Sequence, residues 1–234
     1  MGKIMSNIIY QRNNNLDHKS SIMLKDIHSI FAYNVVAPNT AGYSYNFGAE
    51  LYNKILEFKP KRVVEFGPKF GYTTLFMATA LADLGQGKLK TYDLWQDKHE
   101  MYKNDHFTSF DKKVFEKCID TTLKKYPTLE DYIEYDTKDY YKWLDSPFAF
   151  DFDLLYVDIN NTGDTILKTY NRLKEHINNG AIVIFAGGNK VKDNHRMYKG
   201  LTPIHPLKDE IGYTIIHDDG SSASLSMIGW NTKE

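Results

Sequence analysis

Val63-Val64-Glu65-Phe66-Gly67-Pro68-Lys69-Phe70-Gly71-Tyr72-Thr73 is the stretch on which the fold turns. A short apolar run ends in an acid, turns through Gly67, passes Gly71 and enters a strongly apolar helical pattern over Thr73 to Leu84. Glycines at such a turn let a ligand approach the backbone without meeting a Cβ. The helix behind them offers free N–H groups and the positive end of its dipole. The spacing separates three ligands. A dinucleotide fingerprint wants a glycine where Lys69 stands, and a P-loop wants Gly-Lys-Ser/Thr where Gly71 is followed by Tyr72. What remains is E-x-G-x-x-x-G, which by itself reads equally well as an ordinary tight strand-to-helix turn or as a ligand site.

Outward from this turn the chain alternates strand and helix patterns. Leu89 to Leu94 reads as a second strand, Lys112 to Lys125 as a helix, and Tyr132 to Tyr135 as a third strand before a short helix through Trp143 and Leu144. Phe152 to Val157 is a nearly continuous apolar run, as expected of a strand covered on both faces. Ile166, Leu167, Tyr170, Leu173 and Ile177 mark a helix ended by Asn179-Gly180, and Ala181 to Ala186 a fifth strand. Gly212 to His217 and Ser224 to Trp230 flank Asp218-Asp219-Gly220 as a hairpin. Parallel crossovers need covering helices, so the expectation is an α/β, doubly wound, mostly parallel sheet with an antiparallel edge. Its ligand belongs beyond the carboxyl ends of the strands.

The N-terminal region differs. Residues 1–20 are polar, residues 21–35 show helical spacing at Met23, Ile27, Ile30 and Phe31, and a loop with Pro38, Gly42, Tyr43 and Tyr45 follows. Ala49 to Phe58 reads as an amphipathic helix stopped by Pro60. We divide the chain into an N-terminal extension and helical cap, residues 1–45, and an α/β domain, residues 46–234. Tyr43 and Tyr45 read as a second wall of the pocket or, equally, as core or homodimer packing.

Bulk properties narrow the classes. A net charge of −1, with 25 % charged and 42 % hydrophobic residues, speaks for a globular chain and offers nucleic acid no basic excess. The longest apolar run is too short to span a bilayer, and the first nineteen residues lack the shape of a signal peptide. A cytoplasmic protein without membrane or nucleic-acid partners is the expectation. The single Cys118 precludes an intramolecular disulfide and falls in a helical apolar pattern.

The acids at the strand ends favour a ligand site over a plain turn. Glu65 ends the first strand, Asp93 the second, Asp136 follows the third and Asp158 ends the fourth. A carboxylate at the end of a second strand can accept hydrogen bonds from both ribose hydroxyls. Any one acid also reads as a helix or turn cap. Four on one edge suit a ligand presenting hydroxyls, amines and a positive centre.

On these residues the chain resembles the class I S-adenosylmethionine-dependent methyltransferases over roughly residues 46 to 230. Glu65, Gly67 and Gly71 match the family's principal motif. The resemblance implies strand order 3-2-1-4-5-7-6 and S-adenosylmethionine as cofactor. It also implies a methionine moiety on the turn from Gly67 to Gly71 and Tyr72, the ribose at Asp93, and the adenine near Leu94 and Trp95. Asp136 and Thr137 match the position at the adenine edge, and Asp158 the acidic end of the fourth strand beside methionine and substrate. The runs Phe152 to Asp158 and Gly180 to Phe185 are similar to small-molecule O-methyltransferases. Several of those bind a divalent metal through acids after the fourth and fifth strands. Here Ile159-Asn160-Asn161 and Gly187-Gly188-Asn189 supply none, so no metal is expected.

Methyl transfer to a hydroxyl needs alignment, exclusion of water and removal of a proton. Among eight histidines His195 is the first choice of base, because it follows the fifth strand, with Asp158 as the acidic partner and His205 and His217 behind it. For each, a surface or hairpin histidine is the plainer reading. The polar stretch from Gly187 to Lys208 reads as a substrate-covering loop, with Lys190, Lys192, Arg196 and Lys199 placed to meet an anionic acceptor or simply solvated. The leading function is methyl transfer to a small-molecule hydroxyl. The alternatives are aminopropyl transfer from decarboxylated S-adenosylmethionine, or a non-catalytic methyltransferase-like binding domain.

Overall fold

A computed structural model describes residues 18–34, 44–95 and 112–229. The polar start of the chain, Val35, the turn residues Pro38, Gly42 and Tyr43, and Trp230 lie outside the described residues. Two helices lead: α1 (His18–Asn34) and α2 (Tyr45–Phe58). Then come β1 (Arg62–Phe66), α3 (Tyr72–Leu84), β2 (Lys88–Asp93), α4 (Lys112–Lys125), β3 (Ile133–Thr137), α5 (Tyr140–Leu144), β4 (Leu154–Val157), α6 (Gly163–Asn178) and β5 (Ile182–Ala186). Short helices α7 (Lys190–Asp193) and α8 (Lys208–Ile211) precede the hairpin of β6 (Thr214–Asp218) and β7 (Ser224–Ile228).

The seven strands form one sheet in the order β3-β2-β1-β4-β5-β7-β6. Pairing is parallel from β3 through β5, and β7 is antiparallel to both β5 and β6. One face carries α1, α2 and α3, with Met23, Leu24, Ile27, Phe31, Phe47, Leu51 and Ile55 in a single core with Leu75, Phe76 and Leu81. The other face carries α5 and α6, where Trp143, Leu144, Ile166, Leu173 and Ile177 pack on Val64, Phe66, Leu155, Val157, Val183 and Phe185. Covered on both sides, β4 and β5 are completely buried. Among the described residues no helix is long and apolar enough to cross a membrane.

Several boundaries differ from expectation for local reasons. Tyr45 starts α2 rather than belonging to a loop, because the Ser44 side chain accepts the Phe47 N–H and caps the helix. The third strand runs on to Thr137, so Asp136 and Thr137 are its last residues rather than its followers. The stretch from Gly187 to Lys208 is not an open loop. It folds into α7 and two short 3-10 turns, held where the Asp193 carboxylate accepts the N–H groups of Ile204 and His205.

The β1–α3 turn is fixed by packing. Gly67 has φ +86°, and a Cβ there would lie 2.1 Å from the carbonyl oxygen of Asp158. At Gly71, φ +91°, a Cβ would meet Ile119 Cδ1 at 2.7 Å. Both glycines are therefore required by the protein's own contacts. Gly67→Ala is expected to cost more than about 3 kcal/mol or to abolish folding, since backbone cannot yield. Gly71→Ala should cost about 1–2 kcal/mol, because the end of an isoleucine can move. Urea unfolding midpoints of the two variants check the ranking.

Candidate active site

The strand registers lay the site out. Phe66 pairs with Tyr92 and Val157, Asp93 with Thr137, Val157 with Phe185, Ala186 with Leu225, and Leu225 with His217. One step beyond Phe66, Gly67 N–H bonds Tyr92 O and Asp158 N–H bonds Phe66 O. Thr137, Asp93, Gly67, Asp158, Ala186, Leu225 and His217 thus form one row across the carboxyl edge of the sheet. With strands about 4.8 Å apart, Asp93 and Asp158 are about 10 Å apart, and His217 stands about 14 Å beyond Asp158.

Glu65 lies beneath this row. It is completely buried, and its two carboxylate oxygens accept the hydroxyls of Thr73 (2.5 Å) and Thr74 (2.6 Å) from the first turn of α3. Burial pushes its carboxyl up to about 7, against the hydrogen bonds from Thr73 and Thr74 that favour the charged form. Glu65, expected at the cofactor, braces α3 against β1. Gly71 caps α3 with no side chain, so the helix's first-turn N–H groups gain no capping partner there.

Tyr72 also departs from expectation. Its ring is buried against Phe31, Tyr45's neighbour Phe76, and His28. Its hydroxyl donates to Ser44 O at 3.2 Å and lies 3.1 Å from His28 Nδ1. It joins the cap helices to α3, because the first residue of the helix faces the N-terminal layer rather than the strand edge.

At the end of β2, Asp93 Oδ1 accepts the N–H of Trp95 at 3.1 Å. Trp95 adopts φ +51°, rare for a bulky residue, and its ring lies 4.7 Å from that of Phe115. Its indole N–H is buried and has no hydrogen-bond partner among the described residues. Leu94 is 40 % exposed. Next to them Asp136 and Thr137 are exposed on β3, the Asp136 side chain accepting the Thr137 N–H. The five residues expected to hold adenosine are therefore brought together at one corner, with an acid, an aromatic ring and an indole donor unpaired among the described residues.

Asp158 occupies the centre of the row. Its Oδ1 accepts Asn161 Nδ2 at 2.9 Å, and Tyr156 O–H approaches Oδ2 at 3.4 Å. Lys69, φ +54°, is half-buried in the turn. Desolvation draws its ammonium below the ordinary range while the Asp158 charge pushes back. Lys192, read as a cation for the acceptor, is 5 % exposed and donates to Ala186 O at 2.9 Å. It is part of the floor, whereas Lys190, Arg196 and Lys199 are exposed.

Asn189 completes the β5 end: its Oδ1 caps α7, and its Nδ2 donates to Asp218 Oδ1 and Ser221 O. His195 follows α7, its N–H on Lys192 O and its ring 6.4 Å from that of Tyr198. His205 Nδ1 lies 3.1 Å from Gly188 O, and His217 stands edge-on to Phe47 with Asp219 3.8 Å from Nε2. Among the described residues no three His, Cys, Asp or Glu side chains gather as metal ligands.

The Methyltransferase domain family matches residues 64–186, from β1 through the end of β5. The chain belongs to this family. It is a methyltransferase, and S-adenosylmethionine is the methyl donor that goes with the family. Many solved structures share the fold, among them the following three. The O-methyltransferase TomG of Streptomyces achromogenes, in complex with S-adenosylmethionine and involved in tomaymycin synthesis, is 18 % identical over 96 % of each chain, TM-score 0.59. An O-methyltransferase of Bacillus cereus with S-adenosylhomocysteine is 14 % identical, covering 94 % of this chain and 96 % of that one, TM-score 0.55. The Podospora anserina methyltransferase PaMTH1 with S-adenosylhomocysteine is 13 % identical over 98 % and 96 %, TM-score 0.55. No curated protein sequence matches the chain.

Two residues beside Asp158 were not singled out by the sequence reading. Asn161 was seen only as a missing acid, yet it is buried and orients Asp158. Lys69 was seen only as the residue that spoils a dinucleotide fingerprint. In both cases the signal was side-chain size and polarity within two or three residues of a motif position.

Buried Glu65 makes stability depend on pH. The folded chain keeps the proton up to about pH 7, whereas the unfolded carboxyl releases it near 4.5. The folded state therefore binds more protons in that window, and stability falls as pH rises through it, by an amount on the order of 3 kcal/mol. Glu65→Gln should remove this slope. Urea unfolding of both proteins at pH 5 and pH 7.5 reads the difference, and an unchanged slope in the variant would contradict the assignment.

Proposed function

We propose that the protein transfers the methyl group of S-adenosylmethionine to a hydroxyl oxygen of a small-molecule acceptor, in the cytoplasm. The observation that carries this reading is the row at the carboxyl edge, with Asp93 and Trp95 at one position and Gly67 and Asp158 about 10 Å further along. The donor set suits the cofactor. Asp93 offers acceptors for ribose hydroxyls, the buried Trp95 N–H and ring suit a planar base, and Asp158 and Lys69 bring both signs of charge to the methionine end.

The cofactor supplies a methyl group already activated on a sulfonium. The chain's work is alignment and proton removal. The acceptor belongs above the β4 and β5 ends, beyond Asp158. The wall there is formed by Gly187, Gly188 and the turn after β6 that Asn189 ties down. Asp158 is the proposed proton acceptor, oriented by Asn161; His195, beside α7, is the second group proposed for that step. Oxygen as the target is supported by the solved neighbours named as O-methyltransferases.

Calorimetric titration with S-adenosylmethionine and S-adenosylhomocysteine should show saturable binding, weakened at least about tenfold in Asp93→Ala through loss of the ribose hydrogen bonds. With labelled S-adenosylmethionine and a panel of phenols, sugars and hydroxy acids, label should appear on oxygen. Asp158→Asn should lower kcat by about 10²-fold or more, and His195→Ala separates the second base from the first. A wild-type protein that binds neither cofactor form would defeat the reading.

A further inference from the structure

The carbonyl oxygen of Gly188, two residues past the end of β5, is approached by two groups. The Tyr213 hydroxyl donates to it at 2.7 Å, and His205 Nδ1 lies 3.1 Å away. A carbonyl only accepts, so Nδ1 carries the proton and the lone pair of the neutral imidazole lies on Nε2. The main chain behind the ring is fixed as well. The Asp193 carboxylate accepts the N–H of Ile204 at 3.0 Å and that of His205 at 2.7 Å, and Ile204 is buried in the core of the α6 face. Glycines permit this close approach. A Cβ on Gly187 would lie 3.2 Å from Ile204 Cδ1, and one on Gly188 2.3 Å from Ser226 Oγ. The His205 ring is half-buried, and its Nε2 has no hydrogen-bond partner among the described residues. A histidine kept only to pin this turn would use its Nδ1–H and nothing more, on a carbonyl that Tyr213 already serves. Here a ring of fixed tautomer presents its basic nitrogen beside Gly187 and Gly188, the wall assigned above to the acceptor. Asp193 and Tyr213 are the titratable groups bonded to this turn, and Lys192 lies against Gly187.

We propose that His205 is the catalytic histidine of this site, its Nε2 taking the proton of the acceptor hydroxyl. This rests on the hydroxyl-methylation reading above and replaces His195 as the group that shares the step with Asp158. The acceptor O–H bond breaks as its proton passes to Nε2. The oxygen bonds the methyl carbon while the carbon–sulfur bond breaks, which leaves S-adenosylhomocysteine as a neutral thioether. The imidazolium then returns the proton to water.

The test is methyl transfer from labelled S-adenosylmethionine to whichever phenol, sugar or hydroxy acid of the panel the wild type methylates best, with kcat and KM followed against pH. His205→Asn keeps an amide N–H near the place of Nδ1, able to hold Gly188 O, and removes Nε2. This variant should unfold in urea near the wild-type midpoint and bind S-adenosylhomocysteine with unchanged Kd. It should lose about 10²-fold in kcat, together with the limb of the pH profile that reports the base. His205→Gln, whose amide oxygen accepts a hydrogen bond but takes no proton, repeats the measurement. In His205→Ala, added imidazole should restore part of the lost rate. A purely structural role predicts a wild-type rate and pH profile for His205→Asn, and that result overturns the assignment. A larger loss of kcat in His195→Ala than in His205→Asn overturns it too. If the wild type binds S-adenosylhomocysteine but places no label on oxygen of any panel member, the hydroxyl reading fails and the assignment with it, while the cofactor stands.

Discussion

Contact between the ends of β1 and β4 sets the geometry of everything above the sheet. The carbonyl of Asp158 occupies the space a Cβ of Gly67 would need, so the two central strands finish side by side with no side chain between them. That closeness puts the Gly67–Gly71 turn and the Asp158 carboxylate in one place. It also lets α3 begin immediately over β1, where Thr73 and Thr74 reach down to the buried Glu65. The absence of a side chain at Gly67 makes room for the neighbouring strand.

Once the centre is set, register does the rest. Parallel pairing places equivalent steps of adjacent strands at one level, so each strand end contributes one residue to a single row. Polar residues are tolerated at Asp93, Thr137 and Asp158, which are not fully buried, whereas Ala186 and Leu225 carry the buried part of the row. The antiparallel β7 brings Leu225 to the same level, and β6 brings His217, about 14 Å past Asp158. That distance makes His217 a far wall rather than a partner in proton transfer at Asp158.

How much of this was legible in the sequence follows from the range of the interactions. The alternation of strands and helices, the acids at the ends of β2, β3 and β4 and the helix over Lys112 to Lys125 depend on local periodicity and read directly, whereas the strand order followed from the family resemblance. The direction of individual side chains depends on partners far along the chain. Tyr72 turns to Ser44 and His28, and Lys192 to the main chain of Ala186, six residues back across a turn. The polar stretch after β5 reads as loop because its order comes from Asp193 holding two backbone amides eleven and twelve residues away. No window of sequence contains that information. Asn161 illustrates the opposite error, in which absence of an expected acid hid a residue that serves the acid three positions earlier.

Backbone strain gives an independent view of where the fold has yielded to chemistry. Three residues other than glycine have positive φ among the described residues: Lys59, Lys69 and Trp95. Lys59 has a purely structural account, since it closes α2 in the left-handed conformation with its N–H on Ile55 O, just ahead of Pro60. The other two end no helix. Lys69 stands in the turn after β1 and Trp95 two residues past the end of β2, both at the carboxyl edge. Such conformations cost about 1 kcal/mol or more each and persist only where surrounding structure imposes them. Phe115 holds the Trp95 ring, and the Asp93 side chain holds its N–H. Both strained positions stand at the carboxyl edge of the sheet, the edge on which the cofactor is proposed to bind.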